Sequence, residues 1–307
     1  MLNNYFFPLL FLQPKFVEEF AVGNYRLAPR KWSTSIFDLA TLSTKHKLHL
    51  PYQLMDVLLG SCNCELAVAG ANTPEEAVQM FEDFRIGLYA SGVSPFICPF
   101  FTTESINAYS GINERDSAIG RGIEPKIASS FSSATAQLEA WPHELSLQCS
   151  VTQEALTLSP QQIEDAVFFA SKWGSIATRS PSIGAFSGAF KSSPLLGSTE
   201  QSILHAWTGI ESLFPTVSTE VSFRIALYLS VLCAETSQRS NFHRKVKLAY
   251  GTRSKIAHGT SKSISREEWL EAWQIMVKCA KSIANRGELP SEEKLLIELL
   301  DGKIINA

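Results

Sequence analysis

Arg253 and His258 are the residues of this sequence whose types and spacing are best suited to act on a charged substrate. They stand five positions apart in 250-YGTRSKIAHGTSK-262. The surrounding segment 239–262 holds seven Lys or Arg, two His and no Asp or Glu. Phosphate is the natural counter-charge, because clustered cations attract polyanions. The pattern therefore predicts a phosphate-binding surface, against the simpler interpretation of a solvated helix face. The basic residues are Arg239, Arg244, Lys245, Lys247, Arg253, Lys255 and Lys262.

Arg253 also interrupts an apolar stripe. At about 100° per residue, Val246, Ala249 and Ala257 flank it on one face of a helix. An unpaired guanidinium on a core-facing stripe costs several kcal/mol, so Arg253 requires a partner. One hypothesis pairs it with a core carboxylate such as Glu211, and another places it at a two-fold interface between chains.

His258 lies off that stripe, beside the small residues Gly251 and Ser254. Around an ideal helix it is about 140° from Arg253. One chain would not easily direct both side chains at a single phosphate. Either the helix ends early enough for His258 to turn, or two chains pool their groups.

Composition bounds the class of protein. A length of 307 residues suits two domains of about 100–200 residues each. A hydrophobic fraction of 45% and a charged fraction of 19% exclude extensive disorder. The net charge is −3, so a nucleic-acid contact must depend on a local patch.

The cysteines and the N-terminus indicate a cytoplasmic protein. No C-x-x-C pair or zinc-ligand spacing is present, so we expect reduced, mostly buried thiols and no metal site. The apolar run from Tyr5 to Leu12 contains Pro8 and is too short to span a bilayer. We predict a buried strand or a short core segment there and no membrane association. The cysteines are Cys62, Cys64, Cys98, Cys149, Cys233 and Cys279.

The sequence predicts an α+β fold with a mixed α/β domain at 1–152 and an all-α helical bundle at 155–307. In the first domain, 64–71 reads as a strand that leads into a helix at 73–92, with Thr73 as its cap and Glu76 completing a capping box. Further strands are expected at 97–110 and 143–152, and a loop or mobile insertion at 112–139.

The second domain reads as almost pure helix. Capping pairs Ser159 with Gln162, Ser198 with Gln201, and Ser265 with Glu268 mark three helix starts. Gly259 is placed as a C-terminal cap. The Gly, Ser and Pro residues of 179–198 predict a non-helical connection. Helices are expected at 160–178, 199–214, 219–235, 241–258, 266–286 and 291–302.

The motif 253-RSKIAHG-259, with 210-IESLF-214 and 224-RIALYL-229 upstream, resembles the HEPN superfamily and, within it, the ApeA-like HEPN group. The resemblance implies a metal-independent endoribonuclease that needs no cofactor. It implies a homodimer, or a higher homo-oligomer, formed through the helical domain, with two motifs facing a composite cleft. It also implies an anti-phage defence or toxin effector, with an antitoxin or phage-derived trigger as a further partner. The N-terminal domain would sense that trigger or hold the nuclease in check.

The resemblance gives each motif residue a role. His258 is the general base or acid that serves the 2′-OH of RNA, and products then end in 2′,3′-cyclic phosphate. Arg253 stabilises the charge that builds on phosphorus. Ser254 orients the phosphate, although related proteins often carry Asn, Asp or His after the arginine. RNA contacts are expected from Arg244, Lys245, Lys247, Tyr250, Lys255 and Lys262; for Tyr250 a core ring is the competing interpretation.

Two alternatives belong to other classes. A catalytically silent HEPN module would dimerise or bind nucleotide or RNA, with Arg253 in a structural ion pair to Glu211. A hydrolase in the N-terminal half would use His46 and His49 as metal ligands. No carboxylate stands at a matching spacing, so a polar strand edge explains these histidines better.

Overall fold

A computed structural model of the chain divides into two compact units. The first comprises Met1–Glu82, Gly92–Leu145 and Thr152–Val167, and the second comprises Asp83–Ser91, Ser146–Val151 and Phe168–Ala307. The structure describes residues 3–31, 35–45, 52–98, 100–105, 138–140, 156–260 and 263–301. The domain boundary predicted between 152 and 155 falls outside these residues and stays a prediction.

The first unit is built on an antiparallel sheet. Among the described residues its strands run in the order β3-β4-β5-β1-β7-β8, with β6 also paired to β1, and β2 pairs separately with β9 in parallel. The strands are β1 Asn3–Leu10, β2 Gln13–Pro14, β3 Phe20–Val22, β4 Tyr25–Pro29, β5 Cys62–Ala71, β6 Phe96–Ile97, β7 Phe100–Thr102, β8 Leu138–Ala140 and β9 Thr157–Leu158.

The centre of this sheet is apolar, because β1 and β5 pair side by side and both strands carry buried apolar residues. Phe7 lies opposite Leu66, and both are buried. The Phe7 ring stacks on Phe81 with centroids 4.5 Å apart and on Phe101 at 4.9 Å. The apolar N-terminal run is therefore a buried strand, as its composition predicted.

Three helices accompany the sheet in sequence: α1 Ile36–Lys45, α2 Tyr52–Gly60 and α3 Pro74–Ala90. Thr73 caps α3 by accepting a hydrogen bond from the Glu76 N–H at 3.2 Å. The predicted capping box is wrong in one detail, because the Glu76 carboxylate accepts from the Asn72 N–H at 2.7 Å rather than from Thr73. The carboxylate therefore ties the preceding residue to the first turn.

The second unit is helical. Its core is aromatic: Trp173 stacks on Phe169 at 5.3 Å and donates its indole N–H to Ser187, and Trp269 stacks on Trp273 at 5.6 Å. The helices after β9 are α4 Pro160–Ala177, α5 Pro181–Ser192, α6 Thr199–Ser212, α7 Val221–Cys233, α8 Arg239–Ala257, α9 Arg266–Arg286 and α10 Glu292–Asp301, and short 3-10 turns cover Ser193–Leu195 and Thr236–Gln238.

The predicted helix starts at Ser159, Ser198 and Ser265 are confirmed. Each hydroxyl accepts the backbone N–H three residues on, at 3.2–3.3 Å. The non-helical connection predicted at 179–198 is wrong, because Pro181–Ser192 forms α5. Helical spacing of Ile183, Phe186 and Phe190 buries one face of that segment, and this burial outweighs its Gly and Ser content.

The α+β fold class is confirmed. Of the strand predicted at 97–110, only Ile97 and Phe100–Thr102 are strand among the described residues, and the strand predicted at 143–152 lies outside them. Leu138 and Glu139, predicted as loop, belong to β8, and the rest of 112–139 is not described. None of the described helices has the length and apolarity needed to cross a bilayer.

Candidate functional site

The C-terminal end of α8 carries the predicted site. The helix ends at Ala257, and His258 occupies the cap position with φ −92° and ψ 3°. The His258 N–H still donates to the Ser254 carbonyl at 3.1 Å. Gly259 follows with φ +65°, a conformation that glycine adopts without strain, so its role as the helix stop is confirmed.

Arg253 is held by Glu211 of α6. Its Nη2 donates to Glu211 Oε2 at 3.2 Å, and its Nε lies 3.0 Å from Oε1 in an ionic contact. Each side chain is 26% exposed. Glu211 has no second cation in an ion pair among the described residues. The Nη1 group of Arg253 has no hydrogen-bond acceptor there either, so part of the guanidinium fork remains available to a ligand.

Tyr250 completes this cluster from the inside. It is 9% exposed and lies edge-on to Trp207 with ring centroids 5.1 Å apart. The Arg253 guanidinium carbon is 5.5 Å from the Tyr250 ring centroid. Burial and the Glu211 carboxylate raise the pKa of Tyr250, and the nearby Arg253 charge opposes that rise. Tyr250 is a core ring, so it does not offer a stacking face for an RNA base.

His258 is exposed, and its ring makes no hydrogen bond or ion pair with any described residue. The structure therefore brings Arg253 together with Glu211 and Tyr250, while His258 stands apart at the helix end. Ser254, which follows Arg253 in the sequence, is half-buried. This arrangement agrees with the wide angle expected between the two residues around the helix.

The predicted RNA-contacting cations divide by exposure. Arg244, Lys247 and Lys255 are exposed, with Arg244 donating to its neighbour Asn241 at 2.7 Å. At about 100° per residue these three side chains project from the same side of α8 as His258. The outer face of α8 is therefore a basic stripe that ends at the histidine.

Two other cations do not add to the stripe in the same way. Lys245 donates to Gln274 of α9 at 3.1 Å. Arg239, counted in the basic segment, is buried, and its Nη1 donates to the Glu298 carbonyl at 3.3 Å. Arg239 therefore serves the core. Lys262 lies outside the described residues.

Sequence reasoning missed the contact between α8 and the start of α9. Thr252 donates its hydroxyl to Glu268 Oε1 at 3.2 Å, while Glu268 Oε2 accepts the Ser265 N–H at 2.9 Å. One carboxylate thus caps α9 and fixes the last turns of α8. The capping box was visible in the sequence. The hydrogen bond from Thr252 to Glu268 was not, because it depends on how α8 packs against α9.

The described residues contain no group of three or more His, Cys, Asp or Glu side chains that could hold a metal ion. His46 and His49 lie outside them. Comparisons of the chain with models of protein families, with curated proteins and with solved structures found no significant match.

Proposed function

We propose that this protein is a metal-independent endoribonuclease of the HEPN type, which acts in the cytoplasm as a homodimer and serves as an anti-phage defence or toxin effector. The observation that carries the proposal is the end of α8. There an arginine is fixed by a carboxylate, and an exposed histidine follows five residues later at the end of a basic stripe.

The residue types suit cleavage of RNA without metal. His258 takes the proton of the 2′-OH, and this oxygen attacks the adjacent phosphorus while the 5′-oxygen leaves and takes a proton from water. Arg253 donates its planar fork to the phosphoryl oxygens as negative charge builds. Because Glu211 already holds the Nε side of the guanidinium, its remaining donors are oriented before the substrate arrives. Ser254 orients the phosphate, and the products end in 2′,3′-cyclic phosphate.

The proposed substrate-binding surface is the basic stripe of α8. Arg244, Lys247 and Lys255 contact backbone phosphates and guide single-stranded RNA towards His258. These contacts are to the backbone, so they carry affinity without sequence preference.

The proposed dimer places two helix ends against each other. Within one chain Arg253 pairs with Glu211 of α6 and His258 is exposed at the helix end, so a second chain brings its His258 to the remaining donors of Arg253. A two-fold axis near this point forms two equivalent composite sites. A phage-derived trigger or release of an antitoxin then changes the fraction of chains assembled in this way.

A catalytically silent module is the second candidate, and the Arg253–Glu211 contact favours it. An arginine already engaged by a carboxylate satisfies its charge within the fold and needs no substrate. In that case α8 would bind RNA or a second chain without cutting RNA. The intact His258 at an exposed helix end favours the nuclease.

The deciding experiment is cleavage of single-stranded RNA in excess EDTA. Wild-type protein and His258→Ala, purified identically, are compared for cleavage rate, for product ends and for binding of a non-cleavable 2′-O-methyl RNA. We expect the variant to bind this RNA as the wild type does and to lose cleavage by about 10²–10⁴-fold. Lys281→Ala, on α9, is the matched surface control and should cleave normally.

Equal cleavage by wild type and His258→Ala would point to a contaminating nuclease and contradict the proposal. RNA binding without cleavage by wild-type protein that is shown to be dimeric would favour the silent module instead.

A further inference from the structure

Cys233 and Cys279 bring two thiols together inside the second unit. Their sulfurs are 3.7 Å apart, within hydrogen-bonding distance for thiols. Both side chains are buried, and the residues lie 46 positions apart on different helices, α7 and α9. Burial, followed by the neighbouring Cys233, raises the pKa of the Cys279 thiol well above its usual range. These thiols have no part in the proposed RNA cleavage.

We propose that Cys233 and Cys279 form an oxidisable dithiol, a modification site at which a low-molecular-weight disulfide such as oxidised glutathione generates a cross-link between α7 and α9. The sulfurs need to approach from 3.7 Å to about 2.05 Å. Cys233 is the last residue of α7, and the chain turns to an extended conformation at Ala234. Its side chain can therefore move without disturbing a helix interior, whereas Cys279 lies in the middle of α9.

The reaction balances in two exchanges. Cys233, which is 8% exposed, loses its proton and attacks one sulfur of the small disulfide, which releases one thiol and leaves a mixed disulfide on Cys233. Cys279 then loses its proton and attacks the Cys233 sulfur, which releases the second thiol. Two protein thiols are oxidised, and one small disulfide is reduced to two thiols.

The cross-link would act on the helices that hold α8. Helix α8 packs against both α7 and α9, and α7 also packs against α9. A covalent bond between α7 and α9 therefore fixes the frame around α8. Closing a loop of this length stabilises the folded chain mainly by restricting the unfolded one.

The test uses the full chain, purified reduced and then incubated under native conditions with oxidised glutathione. Peptide mapping without reductant should find one cross-linked pair that contains Cys233 and Cys279. The midpoint of thermal unfolding should rise by roughly 5–15 °C relative to the reduced protein.

Cys233→Ser should show neither the cross-link nor the rise. Cys62 is an internal control, because it is also buried but its thiol donates to the Cys64 carbonyl, at 3.4 Å, and not to a second thiol. The Cys233–Cys279 cross-link should form without any pairing of Cys62.

Two outcomes would overturn the proposal. One is recovery of Cys279 as a free thiol while Cys233 is free or carries glutathione. The other is a Cys233–Cys279 cross-link that forms only in denaturant. Because the wild-type peptide map decides both, the proposal stays testable even if Cys233→Ser does not fold.

Discussion

The guanidinium of Arg253 contacts Glu211 through two nitrogens. Substitution by lysine keeps the positive charge and removes the planar fork, so it separates the effect of charge from the effect of geometry. Arg253→Lys should lower the RNA cleavage rate on the order of 10²-fold, because one ammonium cannot bind both Glu211 and a phosphoryl oxygen pair. Single-turnover rates at saturating protein measure this effect.

Arg244→Lys is the matched control, since Arg244 is exposed and contacts only Asn241 in the described structure. It should change cleavage by less than about threefold, as expected for a non-specific phosphate contact. If Arg253→Lys lowers the cleavage rate no more than Arg244→Lys does, Arg253 acts only through its charge, which lysine keeps.

His205 should make the stability of the second unit depend on pH. Its Nε2 lies 2.7 Å from the Ser192 hydroxyl, and burial lowers the pKa of His205 below its usual 6.5. The unfolded chain therefore binds more protons near this pH. The stabilising contribution of neutral His205 is complete above pH 6.5 and is lost as the pH falls through the folded pKa.

Urea unfolding at pH 7.5 and pH 5 checks this expectation. His205→Gln should lose less unfolding free energy than the wild type between the two pH values, because the titrating group is gone. An identical loss in both proteins would show that His205 does not contribute.

At the scale of elements, α6 packs closely against α5 because it carries glycine at position 209. A Cβ there would collide with the Ala189 Cβ and lie 3.0 Å from Met276 Cε. Gly209→Ala should lower the free energy of unfolding by about 1–3 kcal/mol, despite the better helix propensity of alanine. Denaturant unfolding of Gly209→Ala and of Gly209→Ala with Ala189→Gly measures it. The second substitution should restore most of the loss; no restoration would refute this packing.

Helix α10 is fixed by a buried ion pair. The Glu298 carboxylate is fully buried and accepts from Arg286 Nη1 at 2.8 and 3.1 Å and from Nη2 at 3.1 Å. Glu298→Gln leaves a cation unpaired, so it should lower the unfolding free energy by about 3–5 kcal/mol. Glu288→Gln breaks the exposed pair with Lys294 and should cost less than about 1 kcal/mol. Similar losses in denaturant unfolding of the two variants would contradict this account.

Local chemistry made the elements predictable where a side chain caps its own helix. The capping box of Ser265 and Glu268 predicts the start of α9 from four residues, and Gly259 predicts the end of α8. Helix α5 was not predicted, because its Gly and Ser residues favour a loop. Its few large apolar residues stabilise a helix only when neighbouring helices bury them. The partner of Arg253 was among the hypotheses, since an arginine on an apolar stripe requires a carboxylate. The second contact of Glu268 was not predictable, because it depends on how α8 meets α9.

At the scale of the whole molecule, the proposed composite site makes activity a property of two chains. If Arg253 of one chain and His258 of the other serve one phosphate, mixing Arg253→Ala with His258→Ala yields mixed dimers with one intact site. The mixture should recover about a quarter of wild-type cleavage, since about half the dimers are mixed and each has one working site. Cleavage rates of the mixture against each variant alone measure this. An inactive mixture, with mixed dimers shown by mass, would place both groups in one chain.

RNA cleavage by His258 is tested by comparing two RNAs of the same sequence in excess EDTA, one with ribose 2′-OH groups and one fully 2′-O-methylated. We expect wild-type protein to cut only the first RNA and to leave products that end in 2′,3′-cyclic phosphate, and we expect His258→Ala to cut neither RNA. Cleavage of both RNAs at equal rates, or of neither by the wild type, would contradict this expectation.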